Sequence, residues 1–173
     1  MTQTSTLSTF RPSNFADIAP APGEEPDYDL IRTTVDAIVP FTAHVGLRIA
    51  EVGPEGATVE NPAAEHLHNQ MGTVHAGVLF LLGEVACAAA MCGAFAPVLG
   101  EVKLFVLRDA RTTFLKPALG RISAYGTVED RVVRSVLAGD TRGKFDMDGK
   151  AVLRDESGVL VAKMAFDYVC QVG

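Results

Sequence analysis

The sequence predicts an α+β domain, a curved antiparallel sheet wrapped round one long central helix, on three observations. Val74 to Cys92 is apolar or small almost throughout and carries one charge, Glu84. Several other runs alternate apolar and polar residues with the period of two that a half-buried strand requires. The order is a short helix, two strands, the long helix and about four further strands. A helix that is apolar nearly all round has to be enclosed, so the sheet has to curve over it.

Taken in order, residues 1–26 are rich in Thr, Ser, Pro and Ala with little periodicity, and read as a flexible extension before a single domain over residues 27–173. From Asp27 to Val39, Tyr28, Ile31, Val35 and Ile38 recur at helical spacing between Pro26 and Pro40, which bound a short amphipathic helix. Val45, Leu47 and Ile49 then alternate with Gly46, Arg48 and Ala50, predicting a strand. Gly53-Pro54-Glu55-Gly56 makes a turn, and Ala57–Asn61 runs back. A polar loop over Pro62–Thr73 leads into the apolar helix. Beyond it, Leu104–Leu115, the alternating run through Ile122, Ala124, Gly126 and Val128, Phe145–Arg154, and Leu160 to Tyr168 read as strands. Asp155-Glu156-Ser157-Gly158 is a hairpin turn, and Gly139–Gly143 a surface loop.

The 173 residues are 48 % hydrophobic and 21 % charged, enough apolar side chain for a core without staples. A net charge of −6 argues against nucleic acid or an anionic membrane as the main partner. Cys87, Cys92 and Cys170 are odd in number and contain no C-x-x-C pair, which suits packing residues in a reducing cytoplasm. The N-terminus has neither the basic start nor the apolar stretch of a signal peptide. Glu84 in mid-helix and Pro97 after it speak against a membrane span.

Chemistry concentrates in His68-Asn69-Gln70-Met71-Gly72-Thr73-Val74-His75-Ala76-Gly77, which opens the apolar helix. Every neighbour of Glu84 along the helix is apolar or small, and burying an unpaired carboxylate is costly. Three readings are open: a functional carboxylate, a helix face that reaches solvent, or a buried structural pair. At the helix start, free amides at His75, Ala76 and Gly77 can polarise a carbonyl or hold an oxyanion, and Gly72 and Gly77 let a substrate approach the backbone. Ala76 and Glu84 are eight residues apart, about 12 Å along a helix. One chain's helix start therefore cannot share a reacting atom with its own Glu84. A two-fold dimer that sets one helix start opposite the other protomer's carboxylate solves this.

The segment Asn69-x-x-Gly72-x-x-His75-Ala76-Gly77, followed by Glu84, resembles the active-site signature of hotdog-fold acyl-CoA thioesterases, in particular the subgroup of phenylacetate-pathway and Arthrobacter-type 4-hydroxybenzoyl-CoA thioesterases. Thr112 to Gly120, TTFLKPALG, resembles the strand of that family that ends in Pro-Ala, and the likeness spans about Ala43 to Val169. The resemblance implies a homodimer, possibly a dimer of dimers, that hydrolyses a coenzyme A thioester and needs no further cofactor. Asn69 would orient substrate or water, the Ala76 amide would polarise the thioester carbonyl, and His75 would assist beside it. Glu84 of the other protomer would be nucleophile or general base, and Met71, Phe80 and Phe114 would shape the acyl pocket. The chain departs from the family in having Ala76 where His-Gly-Gly is common, and in lacking an evident Ser or Thr helper, with Leu107 at one such position.

Other readings are weighed beside this one. His66-x-His68 with His75 and Glu84 forms a conceivable metal set, although loop histidines are more often surface residues. An acyl-thioester dehydratase would show His-Phe-Pro-Gly, which is absent. A non-catalytic acyl-CoA binder would share the fold without the turnover. Lys103, Lys116, Arg121 and Arg134 are candidates for the cofactor's phosphates, each also readable as a solvated surface charge. No phosphate loop or Rossmann pattern is present.

Overall fold

The computed structural model describes residues 15, 18–21 and 23–173. Helix α1, Tyr28–Ile38, is capped by Asp27, whose carboxylate accepts the Asp29 and Leu30 amides at 3.1 and 2.9 Å. Its buried residues, Ile31 and Val35, are those the helical spacing marks. Pro40 does not end helical structure as expected. It opens a second helix, α2, Pro40–Val45, because a proline at the first helical position gives up only an amide that would be unpaired anyway. Gly46, at φ 82°, closes α2, so Val45 is helical and the first strand starts later than the alternation suggests.

The strands are β1 Arg48–Val52, β2 Ala57–Glu60, β3 Val102–Phe114, β4 Ile122–Val128, β5 Gly143–Asp155 and β6 Leu160–Val172. They form one antiparallel sheet in the order β1-β2-β4-β5-β6-β3. Helix α3, Ala76–Ala94, lies in its concave face, giving the α+β hotdog architecture. By length and composition α3 could cross a membrane, but most of it is buried inside the protein. Close approach to the sheet is possible because β4 carries Gly126: a Cβ there would stand 2.3 Å from the Ala86 carbonyl carbon. Gly83 on α3 likewise leaves room for the Met164 sulfur, which would stand 2.5 Å from an added Cβ.

Helix α4, Asp130–Leu137, between β4 and β5, is a further element that no predicted run foreshadows. Val133 and Val136 are its buried residues. Residues 1–14, 16, 17 and 22 of the stretch read as an extension lie outside the described residues, while Ile18 is buried in the core and Phe15 packs beside it. Cys87, Cys92 and Cys170 are free and buried, and burial pushes each thiol up to about 12.

Candidate active site

The loop before α3 is held by its own side chains. Asn69 accepts the Met71 and Thr73 amides through Oδ1, at 2.9 and 3.3 Å, and donates from Nδ2 to the Thr73 hydroxyl at 2.9 Å. Gly72 takes a left-handed φ of 73° at the tip of this turn. Two backbone bonds tie the loop down: the His75 amide to the Leu67 carbonyl, and the Val74 amide to the Ala118 carbonyl, both 2.8 Å. The second joins the loop to the Pro117-Ala118 segment after β3, so two stretches singled out in the sequence meet here. Asn69 thus shapes the loop. Thr73 and the Ala118 carbonyl complete it, although the sequence offered no signal for either beyond their neighbours.

His75 is the N-cap of α3, with extended backbone at φ −62° and ψ 139°. Its Nδ1 accepts the Gly77 amide at 2.9 Å, so the neutral ring carries its proton on Nε2. A Cβ on Gly77 would stand 3.1 Å from that nitrogen, and glycine keeps the cap bond free of crowding. The His75 carbonyl accepts the Val78 and Leu79 amides at 2.9 and 3.2 Å. Of the first amides of α3, Ala76 N–H alone has no partner among the described residues. His75, Ala76 and Gly77 are all solvent-exposed in the single chain.

Glu84 stands two turns further along. Gly77, Leu81, Glu84 and Ala88 follow one another at helical spacing on the stripe of α3 that retains exposure, and from Leu82 onward the residues on either side of Glu84 and Ala88 are buried. Burial still raises the Glu84 carboxyl above the ordinary glutamate range, with no neighbouring charge or hydrogen bond to offset it. Its backbone is fixed instead: the Tyr168 hydroxyl donates to the Glu84 carbonyl at 3.4 Å. Tyr168 is buried on β6 and stacks on Phe105 of β3 at 4.3 Å. That ties the Glu84 backbone to β6, the strand beside β3.

The pocket-shaping candidates separate. Phe80 is half-buried and packs edge-on against Phe166 at 5.7 Å. Met71 is 75 % exposed at the loop tip, and Phe114, Leu115 and Leu119 are exposed where β3 ends. Among the basic candidates, Arg121 pairs with Glu60 and Arg134 with Asp130. Lys116 lies two residues before Ala118 in the chain; its amide donates to the Val161 carbonyl at 3.3 Å and, after the Ser157 hydrogen bond, its charge helps hold the Asp155 carboxyl low. Among the described residues no group of three or more His, Cys, Asp or Glu side chains is gathered to hold a metal ion, so His66, His68, His75 and Glu84 do not form one centre.

The profile of a family described as a domain of unknown function, DUF4442, matches residues 28–169. Among curated proteins none matches. Solved structures similar to this chain include a Pseudomonas aeruginosa protein of unknown function described as a probable thioesterase. It is 25 % identical, with 90 % of this chain and 99 % of that one covered and a TM-score of 0.70. A thioesterase family protein from Silicibacter pomeroyi is 21 % identical over 85 % of this chain and 100 % of that one, at a TM-score of 0.66. A Haemophilus influenzae thioesterase is 15 % identical, covering 86 % and 93 %, at a TM-score of 0.64. The structural neighbours are thus thioesterase-superfamily proteins, and the likeness fixes the fold.

Proposed function

The chain belongs to the DUF4442 family, and from that premise we propose that it is an acyl-CoA thioesterase whose site is shared between two protomers. The observation that carries the reading is Glu84, a carboxylate without hydrogen bond or counter-charge on an otherwise apolar helix. A structural carboxylate would have a partner. An unpartnered one, exposed along one stripe, is available to a substrate.

In this reading the thioester carbonyl oxygen lies against the free Ala76 amide of one protomer. Glu84 of the other attacks the carbonyl carbon or takes a proton from the water that does so. The amide holds the oxyanion of the tetrahedral intermediate, the C–S bond breaks, and the coenzyme A thiolate leaves and is protonated; where Glu84 is the nucleophile, water then cleaves the acyl–Glu84 anhydride, and in either case the free acid is released. His75, the exposed N-cap of α3, assists there through Nε2–H, Asn69 keeps the loop in shape, and Gly72 and Gly77, without side chains, let the substrate approach the backbone. The acyl group meets Phe80 and Met71. Motif spacing favours the phenylacetate-pathway and Arthrobacter-type subgroup, hence aromatic and medium-chain acyl groups. A reducing cytoplasm suits the three free thiols.

The test is thiol release from phenylacetyl-, benzoyl- and medium-chain acyl-CoA, comparing wild type with Glu84→Ala. Turnover that collapses in the variant supports the reading. Activity untouched by the substitution rejects Glu84. A second reading, a non-catalytic acyl-CoA binder, draws on the commitment of Asn69 and the His75 Nδ1 to their own loop and on the Ala76 methyl. Binding of the esters without turnover by wild type selects it.

A further inference from the structure

Helix α3 is apolar on nearly every side, and hydrophobic burial is non-directional, so burial alone does not choose its rotation or its axial position against the sheet. Among the described residues, one hydrogen bond between oxygen or nitrogen atoms joins a sheet side chain to the body of α3. It is the bond from the Tyr168 hydroxyl to the Glu84 carbonyl, at 3.4 Å. That carbonyl belongs to the residue that bears the helix's one carboxylate.

Tyr168 is itself held on several sides. It is fully buried on β6, stacked on Phe105 of β3 at 4.3 Å, with the Phe166 ring at 6.0 Å. Gly149 on β5 leaves it room, since an added Cβ would stand 2.8 Å from Tyr168 Cε2 and 3.2 Å from the Cys87 sulfur. Cys87, three residues beyond Glu84 and so on a neighbouring part of the helix surface, interacts with the Tyr168 hydroxyl and with the Thr127 backbone of β4. Burial pushes the Tyr168 hydroxyl and the Cys87 thiol up, so both stay neutral and the phenol keeps its proton to donate. These two are the titratable groups beside the Glu84 carboxyl, and no charged side chain shifts it.

We propose that Tyr168 is a positioning residue for Glu84: its hydroxyl pins α3 at that residue and so sets where the carboxylate meets a substrate. The catalytic consequence rests on the thioesterase reading, whereas the placement rests on the contact between β6 and α3 alone. Without the hydroxyl the helix can turn or slide by a fraction of an ångström among equally apolar contacts. A displacement of that order at a reacting group slows the chemical step more than it weakens binding. It also lets water reach a carboxyl that burial holds above the ordinary glutamate range. A hydroxyl with a purely structural role would change stability and leave both of these untouched.

The experiment compares the full chain as wild type, Tyr168→Phe and Glu84→Ala in thiol release from phenylacetyl-, benzoyl- and medium-chain acyl-CoA. In parallel the Glu84 carboxyl carbon is titrated by NMR, its signal assigned by its loss in Glu84→Gln. Tyr168→Phe keeps the stacked ring, and thermal unfolding checks that the fold is kept. The variant is expected to show kcat lower by about tenfold with KM unchanged. Its carboxyl midpoint, and with it the acid limb of kcat, is expected at lower pH than in wild type, because the freed carboxyl is better hydrated. An unmoved midpoint, or an unchanged kcat per folded site, would each overturn the proposal. Wild type without turnover, or full activity in Glu84→Ala, defeats the thioesterase reading instead, and the midpoint in Tyr168→Phe then decides the positioning by itself.

Discussion

At one edge of the sheet, β1 is five residues long and its backbone is engaged from outside: Asp36 of α1 accepts the Ile49 amide at 2.8 Å and Arg32 donates to the Ile49 carbonyl at 3.5 Å. At the other edge β3 runs for thirteen residues, and among the described residues no strand lies beyond it. A long uncovered edge is a template for another strand, and proteins usually blunt such edges. Here β1 is covered by α1, whereas β3 is interrupted only by bulges and charged side chains such as Lys103 and Arg111. Glu84 is tied through its carbonyl to Tyr168 of β6, the strand next to this edge. The contrast is that one edge is covered within the chain and the other is not, an arrangement that leaves room for the proposed two-protomer site.

Experiments that break or sharpen this contrast can be ranked by expected effect. Glu84→Ala removes the carboxylate and should lower kcat for thiol release by about 10³-fold, in the range for loss of a catalytic acid or base. Ala76→Pro deletes one amide hydrogen at the first helical position, where proline is otherwise welcome, and the extended His75 backbone tolerates it. It should cost about 10²-fold in kcat while thermal stability is kept. Mixing these two variants then asks whether sites are shared. Random re-pairing gives half mixed dimers with one intact site of two, so activity should return to about a quarter of wild type. No recovery would mean that Ala76 and Glu84 do not act across protomers.

Smaller effects probe the covered edge and the carboxylate's surroundings. Asp36→Ala leaves the Ile49 amide without its acceptor and removes the ion pair with Arg48 at 3.2 Å. It should destabilise the fold by about 1–3 kcal/mol, measured by denaturant titration, because a backbone donor loses its partner. Glu84→Gln tests desolvation. A carboxyl raised in the folded state favours folding in its protonated form, a contribution present at low pH and lost as pH rises through the raised value. The variant should therefore unfold at a higher temperature than wild type at neutral pH, with the gain vanishing in acid. A constant difference across pH would mean that Glu84 is not desolvated.

Most of the architecture was legible because its signals are periodic. Alternation located β2, β4, β5 and β6, and the unbroken apolar run located α3 to within two residues at each end. Two departures have local causes. Pro40 after an apolar run signals a terminator, although proline is equally an initiator, and what decides is the chain after it, here closed by Gly46. Helix α4 went unassigned, although Val133 and Val136 stand at helical spacing in an eight-residue segment. The site was legible as residue types at fixed spacing, yet the sequence could not say how those groups are engaged. That His75 accepts the Gly77 amide, and that Asn69 closes its own loop, depends on angles that only the folded loop sets.

By itself, then, the sequence determined that an apolar helix with one carboxylate must be enclosed by strands, since burial and periodicity are properties of consecutive residues. It also determined that Ala76 and Glu84 are too far apart to act together within one helix. The tertiary structure alone decided which sheet edge α1 covers and which stays open. It alone decided that Ala76 keeps the unpartnered amide, and that the Tyr168 hydroxyl of β6 meets the Glu84 carbonyl. Those outcomes rest on strand order and register, which join residues far apart in the chain and leave no mark in any local pattern.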